Sequence, residues 1–185
     1  MFGRGSNISW DVAQAVCRTS LPCCELTAEL LPVSFRRAPE ILRQSVDRLS
    51  PDVVVMLGEY ASGGCVKLER IAVNMMDASN ADSDSFRPDA ESIDSSLPAA
   101  YFSALPLKTI RDTVAGENIA VKISNSCGLY VCNRVYFEAL RLCTEGHNDL
   151  KTLFVHIPRE GMSLNDCTKA VQTILIFLNR YEPNK

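Results

Sequence analysis

The chain has 185 residues, with 46% hydrophobic and 22% charged side chains, the profile of one ordinary globular domain spanning 1–185. Nineteen Lys and Arg against 22 Asp and Glu leave a net charge of −3. That balance offers no basic footprint for nucleic acid and no polybasic patch for a membrane surface. The longest aliphatic and aromatic run, Ile174 to Leu178, is too short to cross a bilayer.

In chain order, the start Met1-Phe2-Gly3-Arg4-Gly5 lacks the apolar stretch of a signal peptide. Ser9 caps a helix that carries Val12, Ala15 and Val16 and stops before Pro22. Leu30 to Phe35 reads as a weak strand. Pro39 suits the first turn of a helix whose apolar face is Ile41, Leu42, Val46 and Leu49. Asp52 to Gly58 is the clearest strand, a β-branched run expected to be covered on both faces. Leu68 to Met75 reads as one further strand. Asp77 to Ser96, with six acids, six serines and a single base, is expected to be a polar loop outside the core. Leu107 to Val114 is helical, Ile119 to Ile123 a strand, Tyr130 to Cys143 a helix, Leu153 to Ile157 a strand ended by Pro158, and a last helix carries Val171 to Leu178. Strands alternating with helices predict an α/β layered domain.

Eight cysteines are many for this length. None forms a C-x-x-C pair, and without a signal peptide they read as reduced thiols. One stands out. Ser124 to Asn133 follows a strand, turns at Gly128 and enters a helix, which puts Cys132 near the helix N-terminus. Free N–H groups and the helix dipole favour thiolate there and can receive a developing oxyanion. His156, one of only two histidines, ends a strand and is a natural base for a thiol. Glu69 lies at the edge of another strand and could orient an imidazole. Taken singly, each has a structural reading as core thiol, hydrogen-bonded histidine or surface ion pair.

Together the three segments resemble the pyroglutamyl-peptidase I family of cysteine peptidases. The family's cysteine motif, S-x-x-A-G-x-Y-[LV]-C, runs here from Ser124 to Cys132 with Cys127 in the alanine place. Its glutamate motif runs from Gly58 through Ala61, Val66 and Glu69-Arg70-Ile71-Ala72 to Asn74, with Lys67 in a Ser/Thr place. Its F-x-H-I-P is Phe154 to Pro158. Glu69, Cys132 and His156 also follow in the family order at intervals of 63 and 24 residues.

The resemblance implies a three-layer α/β/α sandwich around a twisted mixed sheet, and removal of an N-terminal pyroglutamyl residue from peptides through an acyl-enzyme. Cys132 would be the nucleophile, its backbone N–H an oxyanion donor, His156 the base and Glu69 its orienter. It implies no metal or cofactor, a cytoplasmic location and peptide substrates, and it leaves a homo-oligomer open. Phe2 matches the last aromatic of the family's T-G-F-x-P-F pocket loop, so the strand that leads into that loop is missing here. Glu59 stands where bacterial members place a lactam-contacting Gln. Gly63 and Ser79 replace two family arginines. These departures keep open a weakly active or inactive homologue that acts by binding, and a hydrolase of another N-capped amide.

Overall fold

The computed structural model describes residues 7–22, 24–61, 63–146 and 149–182; Phe2 and Cys23 lie outside them. Among the described residues there are five helices and six strands in the order α1 (Ile8–Cys17), α2 (Arg37–Leu49), β1 (Val53–Tyr60), β2 (Val66–Glu69), β3 (Ile71–Val73), β4 (Ala100–Phe102), α3 (Leu107–Ala115), β5 (Val121–Ser124), α4 (Val131–Glu145), β6 (Lys151–Pro158) and α5 (Leu164–Arg180). The main sheet has the order β1-β6-β2-β5. β1 and β6 are parallel, β2 and β5 are parallel, and β2 meets β6 antiparallel, so the sheet is mixed.

Alternation along the strands builds two cores, one on each face. Val66, Leu68, Leu153, Val155 and Ile157 point toward residues of α1, α3 and α5, such as Val12, Ile110 and Ile174. Met56 and Phe154 point the other way, toward residues of α2 and α4, such as Leu42, Val46, Tyr136 and Phe137. Leu68, Ile110, Ile157 and Ile174 are fully shielded, and each such side chain contributes about 1.5–3 kcal/mol of hydrophobic burial. The result is the expected three-layer α/β/α sandwich.

Four segments differ from the sequence reading. The first helix begins at Ile8, two residues early, because Asn7 rather than Ser9 caps it, its side chain accepting from the Ser9 N–H. Leu30 to Phe35 forms no strand. β1 is covered on both faces, as expected: Val53, Val55 and Leu57 pack into one core and Val54 and Met56 into the other, and among the described strands its ladder partner is β6.

The strand expected over Leu68 to Met75 is cut in two at Arg70. The Arg70 N–H still bonds to Ser124 O in the main sheet, while its carbonyl accepts from Ser103 N. From there β3 leaves to pair with β4 in a separate ribbon. Glu69 therefore sits on the last rung of β2, where the chain departs.

The acidic loop also belongs to the core, against expectation. Asp82 is buried, its carboxylate accepting from the backbone N–H groups of Phe35, Asp84 and Phe86. Asp84 pairs with Arg37, and Ala78, Ile93 and Leu97 pack against the α2–α4 core. The acids fold the loop onto the domain by serving as local caps for backbone donors, a use that composition does not reveal.

Candidate active site

The α4 face of the sheet gathers the three candidate residues. On β6, Phe154 and His156 alternate with the opposite-facing Val155. On β1, Met56, Gly58 and Tyr60 share that face, and on β2 so do Lys67 and Glu69. His156 Nδ1 lies 2.8 Å from Glu69 Oε1. Glu69 is completely buried and His156 nearly so. That contact fixes the imidazole's orientation and leaves its other nitrogen, Nε2, facing away from the carboxylate. The ring is held between Phe154, at 4.9 Å between centroids, and Tyr60, at 6.2 Å.

Cys132 enters from α4, at the second helical position. The turn before it needs Gly128, whose φ of +76° is costly for a side chain, although a Cβ there would meet nothing. No side chain caps α4, so the backbone donors of its first turn keep no side-chain acceptor. The helix start is pinned by Asn133, which is buried: its side chain accepts from Val73 N–H and donates to the Val73 and Met75 carbonyls. One turn on, the buried Tyr136 hydroxyl donates to Glu69 O at 2.9 Å. A single helix thus carries the thiol and also grips the backbone of the carboxylate.

Gly58 makes the space. It is the parallel register partner of His156. A Cβ built on it would stand 2.8 Å from the Phe154 ring and 3.1 Å from Cys132 Sγ. Only a bare Cα lets the sulfur settle against β1 beside the histidine strand.

Electrostatics reverse one expectation. Burial, followed by the negative Glu69, pushes the Cys132 thiol up to about 11, although its own backbone N–H pulls the other way. The helix end does not outweigh desolvation, so the resting side chain is a thiol. Glu69 Oε2 is buried without a hydrogen-bond partner. Such an orphan costs about 1–3 kcal/mol, more for a charged group. Beside the carboxylate stands Cys127, whose thiol is pushed far up by burial first and then by the Glu69 and Cys132 charges.

Glu59 alternates to the opposite face from Tyr60. Its Oε2 accepts from the Ile8 N–H at 3.1 Å, and its Oε1 accepts from Arg159. Both oxygens are committed, to the start of α1 and to the residue following β6. Phe2 lies outside the described residues. Gly63 packs against the Tyr60 hydroxyl. The sequence reading misses Asn133 and Tyr136; Tyr136 stands one helical turn from Cys132, which was the signal available for it, whereas Asn133, next in the chain, carries no such signal. Among the described residues, no group of three or more His, Cys, Asp or Glu side chains is placed to hold a metal ion, and no helix is long and apolar enough to cross a membrane.

Known proteins match both the sequence and the mixed α/β fold of this chain. The family model described as pyroglutamyl peptidase matches residues 3–171. A pyrrolidone-carboxylate peptidase of Thermococcus onnurineus is 30% identical over 183 residues, covering 94% of this chain and 91% of the relative. The solved pyrrolidone carboxyl peptidase of Thermococcus litoralis superposes with a TM-score of 0.89 at 29% identity, covering 97% of this chain and 91% of that one. The pyroglutamyl peptidase I of Bacillus amyloliquefaciens, at 24% identity, shares the fold with a TM-score of 0.92 over 100% of this chain and 94% of that one. The chain belongs to the pyroglutamyl peptidase family.

Proposed function

We propose that this chain is a cysteine omega-peptidase that removes an N-terminal pyroglutamyl residue from peptides. The observation that carries the reading is the buried 2.8 Å contact between Glu69 and His156 Nδ1, beside a helix-borne Cys132 whose sulfur rests against the register partner of His156.

The resting thiol keeps its proton until substrate arrives. His156, with Glu69 accepting from its Nδ1–H, presents Nε2 as the base. As Cys132 Sγ attacks the amide carbonyl joining pyroglutamate to the next residue, the thiol proton passes to Nε2. The oxyanion meets the backbone N–H of Cys132 in the uncapped first turn of α4. The imidazolium then protonates the leaving amine, the C–N bond breaks, and a thioester remains. Water, deprotonated by His156, attacks the thioester and releases pyroglutamate and the thiol. Glu69 holds one tautomer and stabilises the imidazolium without itself taking the proton. Free thiols at the seven described cysteines support a reducing, cytoplasmic setting.

Glu59, whose carboxylate is held by Ile8 and Arg159, would have to surrender those bonds to reach a lactam. That favours lactam recognition by other groups, and it keeps the alternative of another N-capped amide substrate in play. The test is hydrolysis of a fluorogenic pyroglutamyl amide beside an N-acetyl-alanyl amide. Turnover of the first alone supports the peptidase; turnover of the second alone replaces it with the alternative.

A further inference from the structure

One cation on the site face stands apart from the acid–base pair. Lys67 is the antiparallel register partner of His156, so their Cα atoms are roughly 4.5–5.5 Å apart and both side chains rise from the same face. The Lys67 ammonium sits 3.6 Å from the centroid of the Tyr60 ring, and the Tyr60 ring meets the His156 ring edge-on. The three side chains make one continuous wall along the imidazole's flank.

Tyr60 is a fixed platform. Its hydroxyl donates to Cys65 O at 2.5 Å, and Gly63 approaches it so closely that a Cβ there would fall 2.8 Å from the phenol oxygen. Burial first, then the contact with Cys65, pushes the phenol up to about 12. The ring stays neutral and its electron-rich face remains available to a cation. A cation–π contact localises the ammonium while leaving its N–H donors unspent. Among the described residues Lys67 has this ring as its partner and makes no ion pair. The carboxylate nearest along its own strand, Glu69, is already bound to His156.

The inference rests on the peptidase reading, in which His156 delivers its proton to the leaving amine and the leaving peptide therefore lies beside the imidazole, whose flank carries Tyr60 and, over the Tyr60 ring, Lys67. We propose that Lys67 is a specificity-determining residue that selects pyroglutamyl peptides carrying a carboxylate on the leaving side. The carboxylate is either an acidic side chain following pyroglutamate or the terminal carboxylate of a pyroglutamyl dipeptide. Lys67 occupies a place where the resembled motif carries a hydroxyl residue, so this cation is a property of the chain and not of the motif.

The experiment compares kcat/KM for three peptides: pyroglutamyl-glutamyl amide, with a side-chain carboxylate; pyroglutamyl-glutamine, with a terminal one; and pyroglutamyl-glutaminyl amide, with neither. The unmodified chain should favour at least one acidic peptide over the neutral one by about 3–10-fold at low salt, the scale of one partly screened ion pair. The advantage should shrink as salt is raised. The peptide that shows it names the source of the carboxylate. Lys67→Gln should bring the ratio to near one, Lys67→Glu should invert it, and Lys67→Arg should retain it. A ratio near one in the unmodified chain, or one that Lys67→Gln leaves unmoved, overturns the inference while the peptidase reading stands. If no peptide is cleaved, calorimetric binding of the same three to Cys132→Ala separates the failures. A carboxylate preference that Lys67→Gln abolishes supports the role of Lys67 and overturns the peptidase reading; equal binding, or none, overturns the inference.

Discussion

Two glutamates on neighbouring parts of one sheet meet opposite fates. Glu59, at the end of β1, has both oxygens satisfied, by the Ile8 N–H and the Arg159 guanidinium. Glu69, at the end of β2, is fully buried, spends one oxygen on His156 and leaves the other unpartnered. Buried charge without a full set of partners is expensive, and proteins retain it where chemistry uses it. The satisfied carboxylate is the structural one, tying α1 to the mouth of β6. The unsatisfied one is the orienter of His156 in the proposed acid–base machinery.

Exchanging each for its amide should separate the two roles. Glu69→Gln presents an amide to Nδ1 and favours the wrong tautomer, so kcat should fall on the order of 10³–10⁴-fold. Because the substitution removes a buried charge, Tm should hold or rise. A variant that loses Tm but keeps kcat would place Glu69 with Glu59 as scaffold.

Gly58→Ala probes the same site through its packing. The new methyl would collide with Phe154 and press on Cys132 Sγ. Displacing the proposed nucleophile by about 1 Å would cost about 10²-fold in kcat/KM, and overpacking should cost about 1–3 kcal/mol of stability. Paired kinetics and urea unfolding check both, and wild-type kinetics in the alanine variant would show that Cys132 does not depend on that gap.

Alkali should act on the buried thiols around Glu69 and spare the Glu59 pair. Burial raises Cys132 to about 11 in the folded chain from an ordinary 9.0, and it raises Cys127 as well. The folded state therefore holds these protons more tightly than the unfolded chain does. That stabilisation is complete below pH 9, where both states keep their protons, and is lost as pH climbs through 11. Tm measured against pH should fall above 9, and Cys132→Ser should flatten part of the fall. Iodoacetamide should label Cys132 faster as pH rises, whereas a plateau between pH 6 and 8 would indicate a preformed thiolate–imidazolium pair.

Glu59→Gln weakens a rim pair in which Arg159 is largely exposed, so it should cost no more than about 1 kcal/mol and change activity little. A larger change in kcat/KM than in Tm would mean that Glu59 reads the substrate after all. Cys127→Ser offers Glu69 a stronger donor than a thiol. It should hold or raise kcat within about threefold, and Cys127→Ala should lower it by a similar factor. Equal rates in all three would leave the orphan oxygen unrelated to Cys127.

The chemistry was more legible in the sequence than its physical setting. Helical spacing places α2, α3, α4 and α5 within a few residues, because each has a strong apolar stripe. The motif spacing singles out Glu69, Cys132 and His156, and the fold brings all three to one face. What a linear pattern cannot carry is the tertiary context. The break at Arg70 depends on Ser103 competing for its carbonyl. The burial of Asp82 depends in part on the Phe35 N–H, 47 residues away. The direction of the Cys132 shift depends on how deeply α4 seats against Gly58. The motif place makes Glu59 a pocket residue, whereas strand alternation, which requires neighbours 59 and 60 to face opposite ways, is the local signal for where its carboxylate goes.

The central claim is that Cys132, with His156 and Glu69, cleaves pyroglutamyl amides. The most direct test is release of fluorophore from a pyroglutamyl amide by the purified, folded chain under reducing conditions, beside Cys132→Ser and His156→Gln. The account predicts turnover by the unmodified chain, loss of at least about 10³-fold in each variant, and cooperative melting by all three proteins. A well-folded chain with no turnover, or a Cys132→Ser variant that hydrolyses the amide as fast as its parent, would contradict it.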